Sequence, residues 1–435
     1  MNFMSFFATF NFYLETPITF LFLLVGILLT LWCGLPQFFA LPRALSFLTK
    51  GLKREQNGSI KTISAAHALF AAMGTSIGIG TIVGPSLAIV SGGPGALFWL
   101  LLYAFIGSAT KLVEVTFALH FRKKNSEGRI IGGPAAYLRM VHPWLAIWYG
   151  ATTLLLFAGW SGIQATALAE ILTTYAIPQW LTGFCLSLLV FFVLWGGAHR
   201  IGNVASRLVP IMFTIYVSIS LWILLGNFEL TLAALKLVCT HIFSPCAPVG
   251  GFLGASLFIA LRQGVYKGVF ITESGMGTAS IAHSLSDASH PIDQGILAML
   301  SVAADSFLSL LSGLLILISG VWITGNYSNT LIYTIFKEYL PNWGPLFFVM
   351  SICLFITTTA LGNAFNGAQN FAIFTNYRGI NFYYAFVALI IFLSSISDVP
   401  LIWAIMDLVL PFVALPNLIG IVILAIKYPH VLKYR

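Results

Sequence analysis

Eleven apolar segments, most of them near the length of a bilayer crossing, constrain what this 435-residue chain can fold into. They fall at about 17–35, 64–90, 94–120, 143–171, 179–198, 206–226, 251–283, 292–322, 344–362, 380–397 and 401–426. A helix needs roughly 20 apolar residues to cross the hydrocarbon core. Backbone polar groups in lipid must be satisfied within the segment, so these segments are helices. Hydrophobic residues make up 59% of the chain and charged ones only 8%, against roughly a quarter charged in soluble domains. The chain is therefore an all-α polytopic membrane protein. No Lys or Arg precedes the first segment and it lacks a small-residue cleavage pattern, so it reads as a retained span rather than a signal peptide. No long polar stretch is left to form a separate soluble domain.

Lysine and arginine sort between alternate loops. With the N-terminus outside, the inner loops hold Arg43, Lys50, Lys53, Arg54, Lys61, Arg122, Lys123, Lys124, Arg129, Arg139, Arg200, Arg207 and Arg378, and the tail adds Lys427, Lys433 and Arg435. The outer loops hold only Lys236 and Lys337, while Lys111, Arg262 and Lys267 fall inside spans. Cationic residues accumulate on the cytoplasmic side. An odd number of spans in the cell (inner) membrane is predicted, with a cytoplasmic C-terminus. The net charge of +8 then reflects topology and anionic membrane lipid, not a nucleic-acid partner.

The second segment contains Gly74-Thr-Ser-Ile-Gly78-Ile-Gly80-Thr81-Ile-Val-Gly84. Glycine at that density exposes backbone, which a lipid-facing helix does not tolerate uncompensated. Close packing accounts for part of it, since Gly74/Gly78 and Gly80/Gly84 fit the small-xxx-small pattern. A related stretch, Gly275-Met-Gly277-Thr278, recurs in the seventh segment. Paired, glycine-interrupted hydrophobic segments in corresponding halves point to a transporter's central site, and a ligand site is favoured over packing alone. With the first span (17–35) set aside, ten spans divide into two sets of five, 64–226 and 251–426. Five is odd, so the halves form an inverted repeat within one transmembrane transporter domain.

Several ordered motifs carry a resemblance. They include Gly92-Gly-Pro-Gly-Ala96, Phe98-Trp99, Ala109-Thr-Lys111 with Glu114, Gly132-Gly-Pro134, Gln164-Ala165, Gly196-Gly197 with Arg200-Ile201, and Leu208-Val-Pro210. In the second half come Arg262 to Gly268, Glu273-Ser-Gly-Met-Gly277, His290-Pro291, Gln294-Gly295, Leu317-Ile-Ser-Gly-Val-Trp322 and Pro416-Asn-Leu-Ile-Gly420. Together, over nearly the whole chain, they resemble the alanine-or-glycine:cation symporters (sodium:alanine symporters). The resemblance implies a LeuT-like 5+5 inverted repeat with one extra N-terminal helix, about eleven spans, and Na+ as the coupling ion with no organic cofactor. It implies import of a small amino acid and no obligate protein partner.

A zwitterion at bilayer depth needs both charges satisfied. Unwound backbone at a half-helix N-terminus offers amides to a carboxylate. Gly78, Gly80 and Thr81 are the expected amide donors, and the turn from Gly268 to Thr272 is expected to face the ammonium with free carbonyls. The resemblance adds Gln164 as a pocket-lining side chain, with an interhelical hydrogen bond as the other reading. Sodium takes oxygen ligands, and the ninth span carries Thr357-Thr-Thr359. Carried over by position, the resemblance implies hydroxyls from Thr358 and Thr359 and carbonyls from Gly74 and Ile77. The chain departs from the family where Thr81 and Thr272 stand in place of Asn, and where Asn363, Phe365 and Asn366 replace Trp and a Tyr pair. Asn363 would enlarge and polarise the pocket.

Ionisable residues inside spans are functional candidates by position. Lys111 and Glu114, three apart on one helix face, read as an internal ion pair. Glu273 and Asp305 lie in or beside the second broken segment. Glu273 has two readings, a functional acid or a structural acceptor for freed amides. Arg262 and Lys267 flank the same segment and are expected to contact carbonyls or one of these acids. Gly78-x-Gly80 is no dinucleotide loop, because no strand precedes it, and the eight His lack metal-enzyme spacing. Cys239 and Cys246 share a predicted outer loop, either bridged or free. Aromatics are expected mainly at the lipid and its interfaces. The expected function is Na+-coupled import of alanine, glycine or D-alanine; the alternative is an uncoupled or proton-coupled amino-acid permease or exchanger. An enzyme is disfavoured, since no catalytic groups cluster at one interface.

Overall fold

The computed structural model describes residues 3–53, 63–124, 130–195, 197–243, 257–325, 328–376 and 378–433. Among the residues singled out above, Arg54, Lys61, Arg129, Gly196, Cys246 and Arg435 lie outside them. The helices are α1 (Phe3–Trp32), α2 (Pro36–Phe39), α3 (Leu41–Lys53), α4 (Ala65–Ser76), α5 (Ile79–Gly92), α6 (Gly95–His120), α7 (Pro134–Leu138), α8 (Pro143–Thr173) and α9 (Gln179–Leu194). They continue as α10 (Gly197–Gly226), α11 (Phe228–Thr240), α12 (Leu257–Thr272), α13 (Ala279–His283), α14 (Pro291–Ser319), α15 (Leu331–Tyr339), α16 (Gly344–Thr375), α17 (Ile380–Ser395) and α18 (Val399–Lys427). One two-stranded ribbon pairs β1 (Lys123–Lys124) with β2 (Ile130–Ile131).

Seven of these helices are long and apolar enough to cross a membrane, and the pair α4/α5, bent by 43°, makes an eighth. The 16-residue helices α9 and α17 and the interrupted pair α12/α13 occupy the remaining expected places. Helix lengths repeat between halves. After α4/α5 come α6 (26 residues), α8 (31), α9 (16) and α10 (30). After α12/α13 come α14 (29), α16 (32), α17 (16) and α18 (29). A broken helix, two long ones, a short one and a long one thus occur twice, with α1 outside the pattern.

The bundle centres on α8, whose apolar window is 83% buried, against 44% for α1 and 33% for α10. It packs against α16, α17 and α18, while α6 packs against α12 and α14. The sequence reading of α16 stopped at 362, but the helix continues to Thr375. Its lower half carries Asn363, Asn366 and Asn370, all buried inside protein rather than exposed to lipid, so hydropathy alone reads it as a loop. Some aromatics are interior, with Tyr103, Tyr137, Tyr149, Tyr216 and Tyr266 buried, while others such as Trp144, Trp180, Trp195, Trp222 and Trp343 are exposed on the outside of the bundle.

The beginning of α4 is fastened to the end of the second broken segment. Ser64 caps α4 by accepting from the His67 amide. Ile63 bridges Ser286, the Ala65 amide donates to Asp287 Oδ1 at 3.1 Å, and Gln294 Nε2 donates to the Ala65 carbonyl. Arg122 Nη1 reaches the carbonyls of Ser284 (2.9 Å) and Ser286 (2.5 Å). Together these contacts form a latch at one end of the bundle.

Candidate functional site

The two breaks have opposite characters. In the second, the chain leaves α12 at Thr272 and turns with positive φ at Glu273 (55°), Gly275 (88°) and Gly277 (74°). Five successive carbonyls there all have donors. Thr272 O accepts from Lys111 Nζ (2.8 Å), Glu273 O from the Met276 amide, Ser274 O from Tyr103 (2.6 Å), Gly275 O from Asn417 Nδ2 (2.9 Å) and Met276 O from Tyr149 (3.0 Å). Glu114 Oε1 accepts from the Gly277 amide (3.0 Å) and from Asn417 Nδ2 (2.6 Å). Buried backbone groups need partners, and here side chains of α6, α8 and α18, with the Met276 amide, supply donors to all five carbonyls.

This cage corrects three expectations. Lys111 and Glu114 form no direct ion pair; each holds a different point of the loop. The break lies at 273–278, over the Gly275-Met-Gly277-Thr278 stretch singled out in the sequence, whereas the turn expected at 268–272 is still helix. Gly268 is inside α12, where a Cβ would come within 3.1 Å of Leu100 O and Tyr103, so it serves close packing. Thr272 is already engaged, its carbonyl accepting from Lys111 and its hydroxyl bonding Gly268 O (2.8 Å). Glu273 Oε2 accepts from Thr278 Oγ1 (2.6 Å), a hydroxyl rather than one of the freed amides. Of the flanking cations, Lys267 pairs with Asp407 (3.3 Å) and Arg262 with Glu15 (3.4 Å).

The first break, at Ile77–Gly78, is only partly closed. The Gly78 amide, which would bond Gly74 O in a continuous helix, turns to Ser76 O at 3.0 Å. The Ile79 amide, which would serve Thr75 O, donates to Gln164 Oε1 at 3.0 Å. Gly74 O and Thr75 O thereby lose their helical donors. Thr359 Oγ1 donates to Ile77 O at 2.9 Å. Gly78 is the one residue that fits between these side chains, since a Cβ there would lie 2.6 Å from Thr359 Oγ1 and 2.9 Å from Gln164 Oε1. Gly80 lies beneath Phe270, whose ring edge would be 2.6 Å from a Cβ.

Gly74, Ile77, Gly78, Gly80, Gln164 and Thr359 are thus brought together at one break. Two other expected residues are not used as expected. Thr81 bonds the break itself, its hydroxyl to Ser76 O (2.8 Å) and its amide to Gly78 O (3.2 Å). Thr358 turns away: its hydroxyl bonds Leu354 O, Phe355 O and Met212 Sδ. Gln164 links two helices, its Oε1 on α8 accepting from the Ile79 amide at the start of α5. Asn363 is buried on the same stripe of α16 as Thr359, four residues on, and its Oδ1 has no partner; neither amide atom of Asn366 has one.

The sequence reading missed an aromatic wall. Phe270 contacts Trp160 (5.3 Å between centroids) and Trp403 (4.9 Å), and Lys267 Nζ sits 4.6 Å over Trp403. Trp160 stands four residues before Gln164, on the same face of α8, which is the signal that could have found it. Its Nε1 is buried without a hydrogen-bond partner.

Comparison with known proteins decides the family. The whole chain, residues 1–434, matches the model of the sodium:alanine symporter family. The chain belongs to that family. A Methanococcus maripaludis relative named sodium/alanine symporter AgcS is 30% identical over 98% of this symporter and 95% of its own length. An uncharacterised transporter of Haemophilus influenzae is 31% identical over 91% of the symporter and 88% of its own length. Among solved structures, a Na+-coupled sialic acid symporter superposes with a TM-score of 0.55 at 11% identity, covering 92% of this chain and 81% of that one. A nucleobase-cation-symport-1 family transporter gives 0.51 at 12% identity, covering 80% and 75%. The symporter therefore has the LeuT-like fold, and it is a membrane transporter rather than an enzyme.

Proposed function

We propose that this symporter imports a small neutral amino acid of the alanine or glycine class, D-alanine included, together with Na+ by alternating access. Repeats 64–226 and 251–426 rock around the first break in a cell (inner) membrane, with the N-terminus outside and the C-terminus cytoplasmic. The observation that carries this reading is the convergence of Gln164 and Thr359 on Gly78, beside carbonyls of Gly74 and Thr75 freed from the helix. Sodium would sit among Gly74 O, Ile77 O and Thr359 Oγ1, taking the place of the Thr359–Ile77 hydrogen bond. The carboxylate of the amino acid would meet the positive end of α5 at Gly80. Its ammonium is drawn to the ring faces of Phe270 and Trp160, since Thr272 O is occupied. Phe270 over Gly80 leaves room for a small side chain only.

A second reading has its own observation. The partnerless amides of Asn363 and Asn366 would suit a substrate with a polar side chain, and one Bacillus subtilis relative is named a probable sodium/glutamine symporter. Uptake into proteoliposomes tests both. Labelled alanine accumulating above equilibrium only with an inward Na+ gradient, and weakly displaced by glutamine, supports the first. Strong displacement by glutamine supports the second.

A further inference from the structure

The chain between the first span and the first broken helix is placed by a sharp turn. Gly34 and Leu35 take positive φ (67° and 57°), and the backbone that ended α1 at Trp32 is redirected into α2 and α3. Gln37 pins this turn, its Nε2 donating to Thr30 Oγ1 (3.1 Å) and to Phe105 O of α6 (3.0 Å). From there α3 runs against α14 and α4, with Ala40 and Ala44 fully buried and Leu41, Phe47 and Leu48 half-buried on the bundle side. The other side carries two contrasting strips. Phe38 (61% exposed), Phe39 (50%) and Leu45 (61%) form an apolar one. Arg43, Ser46, Lys50 and Lys53 follow each other at three- and four-residue steps, so the helical register sets them on one stripe of α3, where Arg43 and Ser46 are exposed. Neither α2 nor α3 contains an acidic residue.

We infer that α3 and the turn before it form a binding surface for an anionic glycerophospholipid of the cytoplasmic leaflet. Its phosphate lies on the Arg43–Lys53 stripe and its acyl chains on Phe38, Phe39 and Leu45. A helix with an apolar strip beside a purely cationic one lies at the membrane boundary and is drawn to anionic lipid. An amphiphile uses both strips, whereas a free phosphate ion would leave three large apolar side chains without a partner. Because α3 packs against α4, lipid held on its outer side braces the inner half of the first broken helix. The choice of leaflet rests on the orientation proposed above; the surface itself does not.

The test uses the full chain in a cysteine-free background, with Ser46→Cys carrying a bimane fluorophore, in phosphatidylcholine nanodiscs. Quenching is titrated with headgroup spin-labelled phosphatidylglycerol and, separately, with spin-labelled phosphatidylcholine. Phosphatidylglycerol should quench at the lower fraction. Lys50→Gln with Lys53→Gln should weaken its apparent affinity by roughly thirtyfold, at about 1 kcal/mol per lysine. Should that pair not fold, Arg43→Gln alone replaces it, with roughly fivefold expected. Equal quenching by the two lipids, or an affinity that these variants leave unchanged, overturns the inference. So does an equal loss from Lys427→Gln with Lys433→Gln, at and beyond the end of α18, since the attraction would then be general surface charge. No quenching by either lipid would mean that protein covers this side, and relief of quenching by excess inorganic phosphate would mean a phosphate site; both overturn it. Thermal-shift midpoints in the same nanodiscs read the brace. Phosphatidylglycerol should raise the wild-type midpoint and not that of the double variant, and an unmoved wild-type midpoint refutes the brace while leaving the lipid surface standing.

Discussion

Gly78→Ala is the sharpest perturbation of the first break. The backbone at Gly78 is extended, φ −139° and ψ −155°, a conformation alanine adopts, so the cost is steric rather than torsional. The new methyl would stand 2.6 Å from Thr359 Oγ1 and 2.9 Å from Gln164 Oε1. Relief requires both side chains to withdraw, which breaks the 2.9 Å bond to Ile77 O and the 3.0 Å bond from the Ile79 amide. Two hydrogen bonds at about 1 kcal/mol each and about 1–3 kcal/mol of overpacking give a total of about 3–5 kcal/mol. If about 2 kcal/mol of this falls on the loaded state, the half-saturating sodium concentration rises roughly thirtyfold. Gly226→Ala, with nothing within 4 Å of its methyl, is the control. Sodium-dependent alanine uptake in proteoliposomes, normalised to inserted protein, reads the effect. A Gly78→Ala variant whose sodium and alanine half-saturation stay within about twofold of wild type would refute the convergence of ion and substrate on this residue.

Other substitutions separate the parts of the site. Thr359→Val should raise half-saturating sodium about tenfold, the loss of one ligand hydroxyl, whereas Thr358→Val should leave it unchanged; equal effects would contradict the assignment. Lys111→Met strips Thr272 O of its donor and should cost about 1–3 kcal/mol of stability. That cost appears as a lower thermal-shift midpoint, and an unchanged midpoint would mean the cage is not structural. Asp287→Ala removes the acceptor for the Ala65 amide and should loosen the latch. In a cysteine-free background it would speed labelling of Gln369→Cys, beside the cleft lined by Gly132, Ser284 and Ile373, by an impermeant thiol reagent. No change in labelling rate would contradict the latch.

The first break was legible because Gly74, Gly78, Gly80 and Gly84 crowd one apolar segment and a related stretch recurs in the other half, which close packing alone does not explain. The second was legible at Gly275 and Gly277, but its ammonium-facing turn was misplaced at 268–272 because sequence does not distinguish a glycine used for close packing, such as Gly268 against Leu100 and Tyr103, from one used for its backbone, such as Gly275 at φ 88°. The spacing of Lys111 and Glu114 permitted an ion pair, yet bare backbone at the second break outcompeted it, as unsatisfied carbonyls at bilayer depth are costly. Partners such as Asn417, 303 residues from Glu114, leave no local signature. Thr358 and Thr359 look identical in sequence, but only Thr359 shares the face of α16 that meets Ile77.

The central claim is that transport is driven by sodium bound at the first break. The most direct measurement is uptake of labelled alanine, glycine and D-alanine into proteoliposomes with and without an inward sodium gradient, for wild type and Thr359→Val. The account predicts accumulation above equilibrium only with the gradient, with a markedly higher sodium requirement in the variant. Uptake that merely equilibrates, or a variant with unchanged sodium dependence, would contradict it.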